Sequence, residues 1–181
     1  GEPLLVVYIH DEVSPGIRPL GSATRWWLHH SLQALATEIT SLGGHLVLRK
    51  GEGTAIIREL VEQYDAGAVF WNRRYGHARE GDATLKEDLK SQGLICESFA
   101  GNLMFEPWTV TTGEGKPFRV FSPFWRACLA STPPRSPLEA PEKLVAVEGI
   151  TSDDLDTWDL RPTSPDWSAG WAELWTPGEA G

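Results

Sequence analysis

Residues 4–9, Leu-Leu-Val-Val-Tyr-Ile, form an unbroken apolar run closed by His10-Asp11, and a run of that length reads as a strand of a parallel sheet covered on both faces. A Pro- and Gly-containing connection over 12–21 follows. Ser22 can then cap a helix in which Leu28, Leu32, Leu35, Ile39 and Leu42 recur at helical spacing until Gly43-Gly44 stops it. The alternation continues with a strand over 45–49 and a helix over 54–64 that sets Ile57, Leu60, Val61 and Tyr64 on one face. A strand over 68–72, a helix over 82–92 through Leu85 and Leu89, and a strand over 94–99 complete it. A β-α-β-α-β-α-β series predicts an α/β fold, a doubly wound, Rossmann-like parallel sheet with right-handed crossovers.

After Phe99 the period breaks. Residues 105–121, with Gly113, Gly115 and Pro117, read as a loop or hairpin, and a short helix is expected over 123–129. From Thr132 onward, Pro133, Pro134, Pro137 and Pro141 make a stiff connector, and 142–181 carries apolar positions without a sustained period. The chain has 9 tryptophans, of which Trp158, Trp167, Trp171 and Trp175 crowd this tail. A segment with no period of its own cannot bury them locally, so the tail is expected to lie on a neighbouring domain. Trp167, Trp171 and Trp175 should then be more exposed than Phe70 or Trp71.

Composition narrows the function classes. A length of 181 residues, 41% hydrophobic and 23% charged, fits one globular domain with a tail. The formal net charge of -9 gives no long-range attraction to phosphates, so nucleic-acid contact is not expected from these residues. Cys96 and Cys128 stand far apart without CxxC spacing, which encodes neither a disulfide framework nor a metal site and suits a reducing cytoplasm. No charged-then-apolar leader opens the chain and no apolar run approaches the ~18 residues of a membrane span, so a soluble protein without membrane contact is expected.

Candidate binding residues lie at the carboxyl ends of predicted strands, where open α/β sheets bind ligands. After the strand over 68–72 comes Trp71-Asn72-Arg73-Arg74-Tyr75, in which adjacent arginines beside a tyrosine can hold an anion and stack on a ring. His10-Asp11-Glu12 occupies the same position after the first strand. His29 and His30 are neighbours on a helix, about 100° apart, and so do not face one ligand together. The glycines form neither GxGxxG nor a P-loop, and no GxSxG, no HExxH and no Cys/His pair at useful spacing is present. No catalytic constellation is expected in this chain.

Three segments carry a family resemblance: Asn72-Arg73-Arg74-Tyr75; Val120-Phe121-Ser122-Pro123-Phe124-Trp125; and Trp175-Thr176-Pro177-Gly178-Glu179-Ala180-Gly181. Gly21, Arg25, Ser31 and Leu32 also fit a helix-start pattern. Together they resemble the DNA photolyase/cryptochrome family, over nearly the whole chain. The resemblance implies an antenna-type domain over 1–130 and a linker over 131–181 leading to an absent FAD-binding helical domain. Family members begin with an earlier strand at the centre of the sheet, in the order 3-2-1-4-5, so this chain is expected to be truncated at its N-terminus and to lack that strand. Strands 4–9 and 68–72 should then flank its place, with a gap or a rearranged direct pairing between them.

The function so implied is that of a fragment of a deoxyribodipyrimidine photolyase, which repairs cyclobutane pyrimidine dimers in DNA with light. Its antenna pigment passes excitation to reduced FAD. His10, Asp11, Arg25, Asn72, Arg74 and Tyr75 are the candidate pigment contacts. Folate-binding members carry an Asn-Glu pair that Gly76-His77-Ala78-Arg79-Glu80 does not match, which leaves deazaflavin, flavin, folate or no antenna open. The implied partners are damaged DNA, through the absent domain, and the chain's own C-terminal helical domain, in a cytoplasmic monomer. Two other readings stand beside this one: a cryptochrome-type blue-light photoreceptor, and a nucleotide-binding α/β module for which residues 131–181 are dispensable.

Overall fold

Each apolar run becomes a strand, at its expected bounds in β3 (Ala68–Asn72) and shifted by one or two residues at an end in β1 (Val6–His10), β2 (Leu46–Lys50) and β4 (Ile95–Phe99). The structure, a computed structural model, describes residues 2–179. Between the strands run α1 (Ser22–Ser41), α2 (Gly53–Gln63) and α3 (Ala78–Ser91). Beyond β4 come α4 (Phe121–Ala130), a 3-10 turn (Leu155–Trp158) and the one-turn α5 (Trp171–Leu174). The α/β alternation with parallel strands is the fold expected from the sequence.

Local chemistry explains the helix ends. Gly21, not Ser22, is the N-cap of α1 and supplies no side-chain bond, whereas Glu52 caps α2 by accepting from the Thr54 and Ala55 amides. α3 starts about one turn before the expected residue 82, because its first turn is polar and the apolar period begins only at Leu85; Glu80 in that turn suits the positive end of the helix dipole.

β1 pairs in parallel with β2, Val6 opposite Leu46 through His10 opposite Lys50, and β3 pairs in parallel with β4, Ala68 opposite Ile95 through Asn72 opposite Phe99. These are two separate two-stranded sheets; among the described residues β1 and β3 do not pair directly. The chain divides into two compact units, Gly1–Tyr64 with Ala140–Gly181, and Asp65–Glu139.

The first unit has its core between α1, the β1–β2 sheet and the tail. Leu32 and Ile39 of α1 meet Leu46 and Leu48 of β2, with Trp158 and Leu160 completing the buried cluster. Leu46, Val47 and Leu48 are all buried, as a strand covered on both faces should be, whereas β1 is only half-buried up to Ile9. The tail adheres through backbone bonds. Leu4 N donates to Val145 O at 2.8 Å, Leu144 N to Leu42 O at 2.7 Å, and Asp153 N to Leu48 O at 2.9 Å, while Ser152 Oγ accepts from Leu48 N at 2.9 Å. Gly43 takes φ +85° at the end of α1, and a Cβ on Gly44 would lie 2.8 Å from the Leu144 side chain; the Gly-Gly stop is also where the tail closes on the helix.

This corrects the reading of the tail as a segment without a local place to bury its tryptophans. Trp158 is 3% exposed. Trp171 lies 5.3 Å from Trp26 and Trp175 6.1 Å from Trp27, both edge-on to α1. The expected exposure order also fails against Phe70, which at 55% exceeds both Trp167 at 37% and the half-buried Trp171. The tail uses single side chains from irregular stretches and short turns, which leaves no period to read, and Phe70 stands on a sheet face that is open to solvent among the described residues.

In the second unit α3 packs on β4, with Leu85, Leu89 and Cys96 buried. The opposite face of this sheet shows Phe70, Ile95 and Phe99 to solvent.

Candidate functional site

The six candidate residues fall into two groups, three in each unit. In the first unit β1 delivers His10 and Asp11 to its carboxyl end, and α1 brings Arg25 from its first turn. Glu12 ties His10 and Arg25 together. Its Oε1 accepts from Arg25 Nη2 at 2.8 Å and from Leu20 N at 3.0 Å, and its Oε2 lies 3.4 Å from His10 Nε2. Burial pushes the Glu12 carboxyl up, but the Leu20 amide and the Arg25 guanidinium outweigh it and hold the group below the usual carboxylate range.

Asp11 stitches two elements. Its Oδ1 accepts from the Val13 and Ser14 amides at 3.0 and 2.9 Å, and its Oδ2 from the Ser14 hydroxyl and from Gly53 N at 3.0 Å, at the start of α2. Burial raises this carboxyl too, and the bonds from Ser14, Gly53 and Val13 bring it below its ordinary value. Glu12 and Asp11 therefore act as anionic hubs satisfied from inside the protein, and Arg25 has its charge matched by one of them.

In the second unit the turn after β3 presents Asn72, Arg73, Arg74 and Tyr75. The Asn72 side chain lies against Gly101, where an added Cβ would come within 2.4 Å of it. Arg74 makes a two-pronged pair with Asp82 of α3, Nε to Oδ2 at 3.0 Å and Nη2 to Oδ1 at 2.5 Å. Arg73 Nη1 donates to Glu106 Oε1 at 2.7 Å, and its guanidinium carbon stands 5.8 Å from the centre of the Trp108 ring. The Tyr75 hydroxyl donates to Glu106 Oε2 at 2.7 Å, and that bond is the main reason its pKa is raised.

These side chains border a cleft of about 190 Å³ whose lining includes Trp71, Arg74, Tyr75, Arg79, Lys86 and Trp108. Arg79 and Lys86 have no carboxylate partner among the described residues, so the cleft keeps net positive charge beside three aromatic rings. Such a lining can stack on a flat ring and neutralise an anionic group. Its volume is below the roughly 300 Å³ at which pockets begin to enclose drug-sized ligands, so it takes one ring system with a single anionic group at its edge.

Sequence reading found Arg74 and Tyr75 from their place after a strand and missed Glu106, which is 9% exposed and holds both Arg73 and Tyr75. Glu106 sits in the aperiodic stretch Phe105-Glu106-Pro107-Trp108, where nothing marks a carboxylate as buried. Asp82 had a signal, since it opens the expected third helix, but its pairing with Arg74 spans eight residues and a turn. Among the described residues no group of three His, Cys, Asp or Glu is arranged to hold a metal. No helix among them is long and apolar enough to cross a membrane.

Comparison with known proteins covers the whole chain. A family profile described as DNA photolyase matches residues 1–142. The deoxyribodipyrimidine photo-lyase of Agrobacterium fabrum is 43% identical over 183 residues, which takes in 100% of this chain and 38% of that protein. Cryptochrome-1 of Arabidopsis thaliana is 29% identical, over 94% of this chain and 27% of its own length. Among solved structures, a bacterial class III photolyase from Agrobacterium tumefaciens superposes with a TM-score of 0.91 at 42% identity, covering 100% of this chain and 37% of the other. A Synechocystis cryptochrome shares the fold with a TM-score of 0.70 at 17% identity. The chain thus spans less than two fifths of the length of these relatives. The family acts on DNA and implies a flavin together with antenna chromophores. On the profile match over 1–142 and the likeness along its full length, the chain belongs to the DNA photolyase family.

Proposed function

We propose that this chain is the light-harvesting part of a deoxyribodipyrimidine photolyase, whose full-length form repairs cyclobutane pyrimidine dimers in light. The observation that carries the reading is the 43% identity to a deoxyribodipyrimidine photo-lyase along 100% of this chain, against 29% to a plant cryptochrome. Residues 1–130 serve as the antenna-type domain and 131–181 as the link toward a flavin-holding helical domain, with residues 140–179 doubling as core of the first unit. Damaged DNA is met by the other domain, which agrees with the net charge of -9 here. The full-length protein works as a cytoplasmic monomer.

An antenna acts by position and orientation, without acid/base groups. Of the six candidate contacts, Arg74 and Tyr75 line the cleft in the second unit, and Asn72 stands on the strand that leads into it. His10, Asp11 and Arg25 are held by Trp158, Ser14, Gly53 and Glu12. The proposal therefore rests on the second unit, where Trp71, Tyr75 and Trp108 stack on a pigment ring and Arg79 and Lys86 balance its anionic end. A deazaflavin, a flavin and a folate all combine a flat ring with an acidic group, and the cleft takes that shared chemistry. When bound, such a pigment supplies absorption of light; the residues supply binding and a fixed ring orientation.

The test uses the full-length protein carrying Arg74→Ala with Tyr75→Ala. Pigment absorbance per protein should fall severalfold while flavin content and repair driven by direct flavin excitation stay near wild type. Equal loss of pigment, flavin and repair would show that these residues maintain the fold and do not mark an antenna site.

A further inference from the structure

The turn Leu155–Trp158 sits on the first unit by way of two buried histidines. His10 is 2% exposed and lies flat on Trp158, ring centroids 5.2 Å apart at 25°. No hydrogen bond reaches its Nε2, and its nearest acid, Glu12, is 3.4 Å away. His29 on α1 is 1% exposed, and neither of its ring nitrogens has a hydrogen-bond partner. The Asp156 carboxylate stands 3.9 Å from His29 Nε2 and is itself taken by Arg161 at 2.8 Å. An uncharged imidazole packs in these places at the cost of one unpaired nitrogen at His10 and two at His29. An imidazolium brings a full charge and a second N–H donor to sites where no hydrogen bond waits for it: at His10 the one nearby carboxylate, Glu12, is already engaged by Arg25 and Leu20, and at His29 the Asp156 oxygen stands 3.9 Å off and is taken by Arg161.

The charged groups around each ring divide. Burial lowers the pKa of His10 most; Glu12 and Asp11 raise it, Lys50 of β2 and Arg25 of α1 lower it, and it ends below the usual histidine range. Burial also leads for His29, with Arg161 and His30 adding to the lowering and Asp156 opposing it. When the segment lifts, Trp158 no longer covers His10 and neither Asp156 nor Arg161 approaches His29, so both rings gain water and titrate closer to the ordinary histidine value of about 6.5.

We infer that residues 153–161 form an acid-released clasp, docked over β1 and α1 while His10 and His29 are neutral and undocking when they take up protons. Below about pH 6.5 the undocked state binds more protons than the docked one, so docking weakens as the pH falls from there toward the docked pKa values, and it is insensitive to pH above about 7. Undocking bares Leu32, Ile39, Leu46 and Leu48, which Trp158 and Leu160 cover.

Hydrogen exchange of the Asp153 amide, which donates to Leu48 O, reads the clasp directly in the 181-residue chain. With intrinsic rates corrected, its opening constant should rise about tenfold per histidine between pH 7.5 and 5.5, hence up to about a hundredfold. His29→Leu fills the site with an apolar group and should remove about tenfold of that rise. An opening constant that does not change with pH, or an equal rise in wild type and H29L, would overturn the inference. Should H29L fail to fold, imidazole resonances of the wild type decide: a His29 ring that charges only as Asp153 loses protection supports the clasp, and one that charges near pH 6.5 with Asp153 still protected refutes it.

Discussion

Glu106 shows how much of a site can hang on one residue outside any periodic element. With 9% exposure its carboxylate needs partners, and it finds the Arg73 guanidinium on one oxygen and the Tyr75 hydroxyl on the other. Glu106→Gln keeps the size but removes the charge and one acceptor, leaving a donor aimed at Arg73 or Tyr75. The second unit should lose about 1–2 kcal/mol in denaturant unfolding. The Tyr75 phenol should also titrate lower than in wild type, because the bond that favours its protonated form is weakened; ultraviolet titration at alkaline pH checks this, and an unchanged or higher value would contradict the hub. The sequence made the strand-end turn legible, since Asn72-Arg73-Arg74-Tyr75 follows an apolar run. It did not reveal that Arg73 and Arg74 are matched by Glu106 and Asp82, because those pairings cross 33 and 8 residues and depend on where loops fold back.

At the level of elements, the regular alternation up to Phe99 was readable because a period of 2 or 3.6 sets many side chains on one face at once. Leu32 and Ile39 of α1 and Leu85 and Leu89 of α3 are core residues on that ground. The tail was not readable in the same way. It closes over β2 with isolated contributions, one backbone bond from Asp153 and single side chains from Trp158 and Leu160, on either side of and within the short 3-10 turn Leu155–Trp158. Its tryptophans consequently differ in weight. Trp158→Ala removes a side chain at 3% exposure between Tyr8, His10 and the leucine cluster and should destabilise the first unit by about 3–5 kcal/mol. Trp175→Ala removes one at 57% exposure whose ring meets Trp27 edge-on and should change stability by less than about 1 kcal/mol. Chemical denaturation of the two variants separates a core role for the tail from a merely draped one, and equal losses would contradict this ranking.

For the molecule as a whole, the question is whether the α/β part is a self-sufficient module with an appendage. The first unit is built from both ends of the sequence, residues 140–181 clustering with 1–64. A free-standing nucleotide-binding module would tolerate loss of its tail, whereas here the tail supplies Trp158 and Leu160 to the main core and bonds to Leu4, Leu42 and Leu48. A chain ending at Ala130 would leave Leu32, Ile39, Leu46 and Leu48 facing water. It would also strip Leu48 of the partners for both its amide and its carbonyl, on an edge of β2 that would then invite association with other chains. The truncated chain should show fast exchange of the β1 and β2 amides and concentration-dependent aggregation. The amides of β4, whose Cys96 packs in the other unit with Leu85 and Leu89, should keep their protection, which rules out a trivial failure of the whole preparation. If instead β2 stays as protected as in the 181-residue chain, the tail is an appendage, and the independent-module reading gains over one in which the linker is also the lid of its own domain.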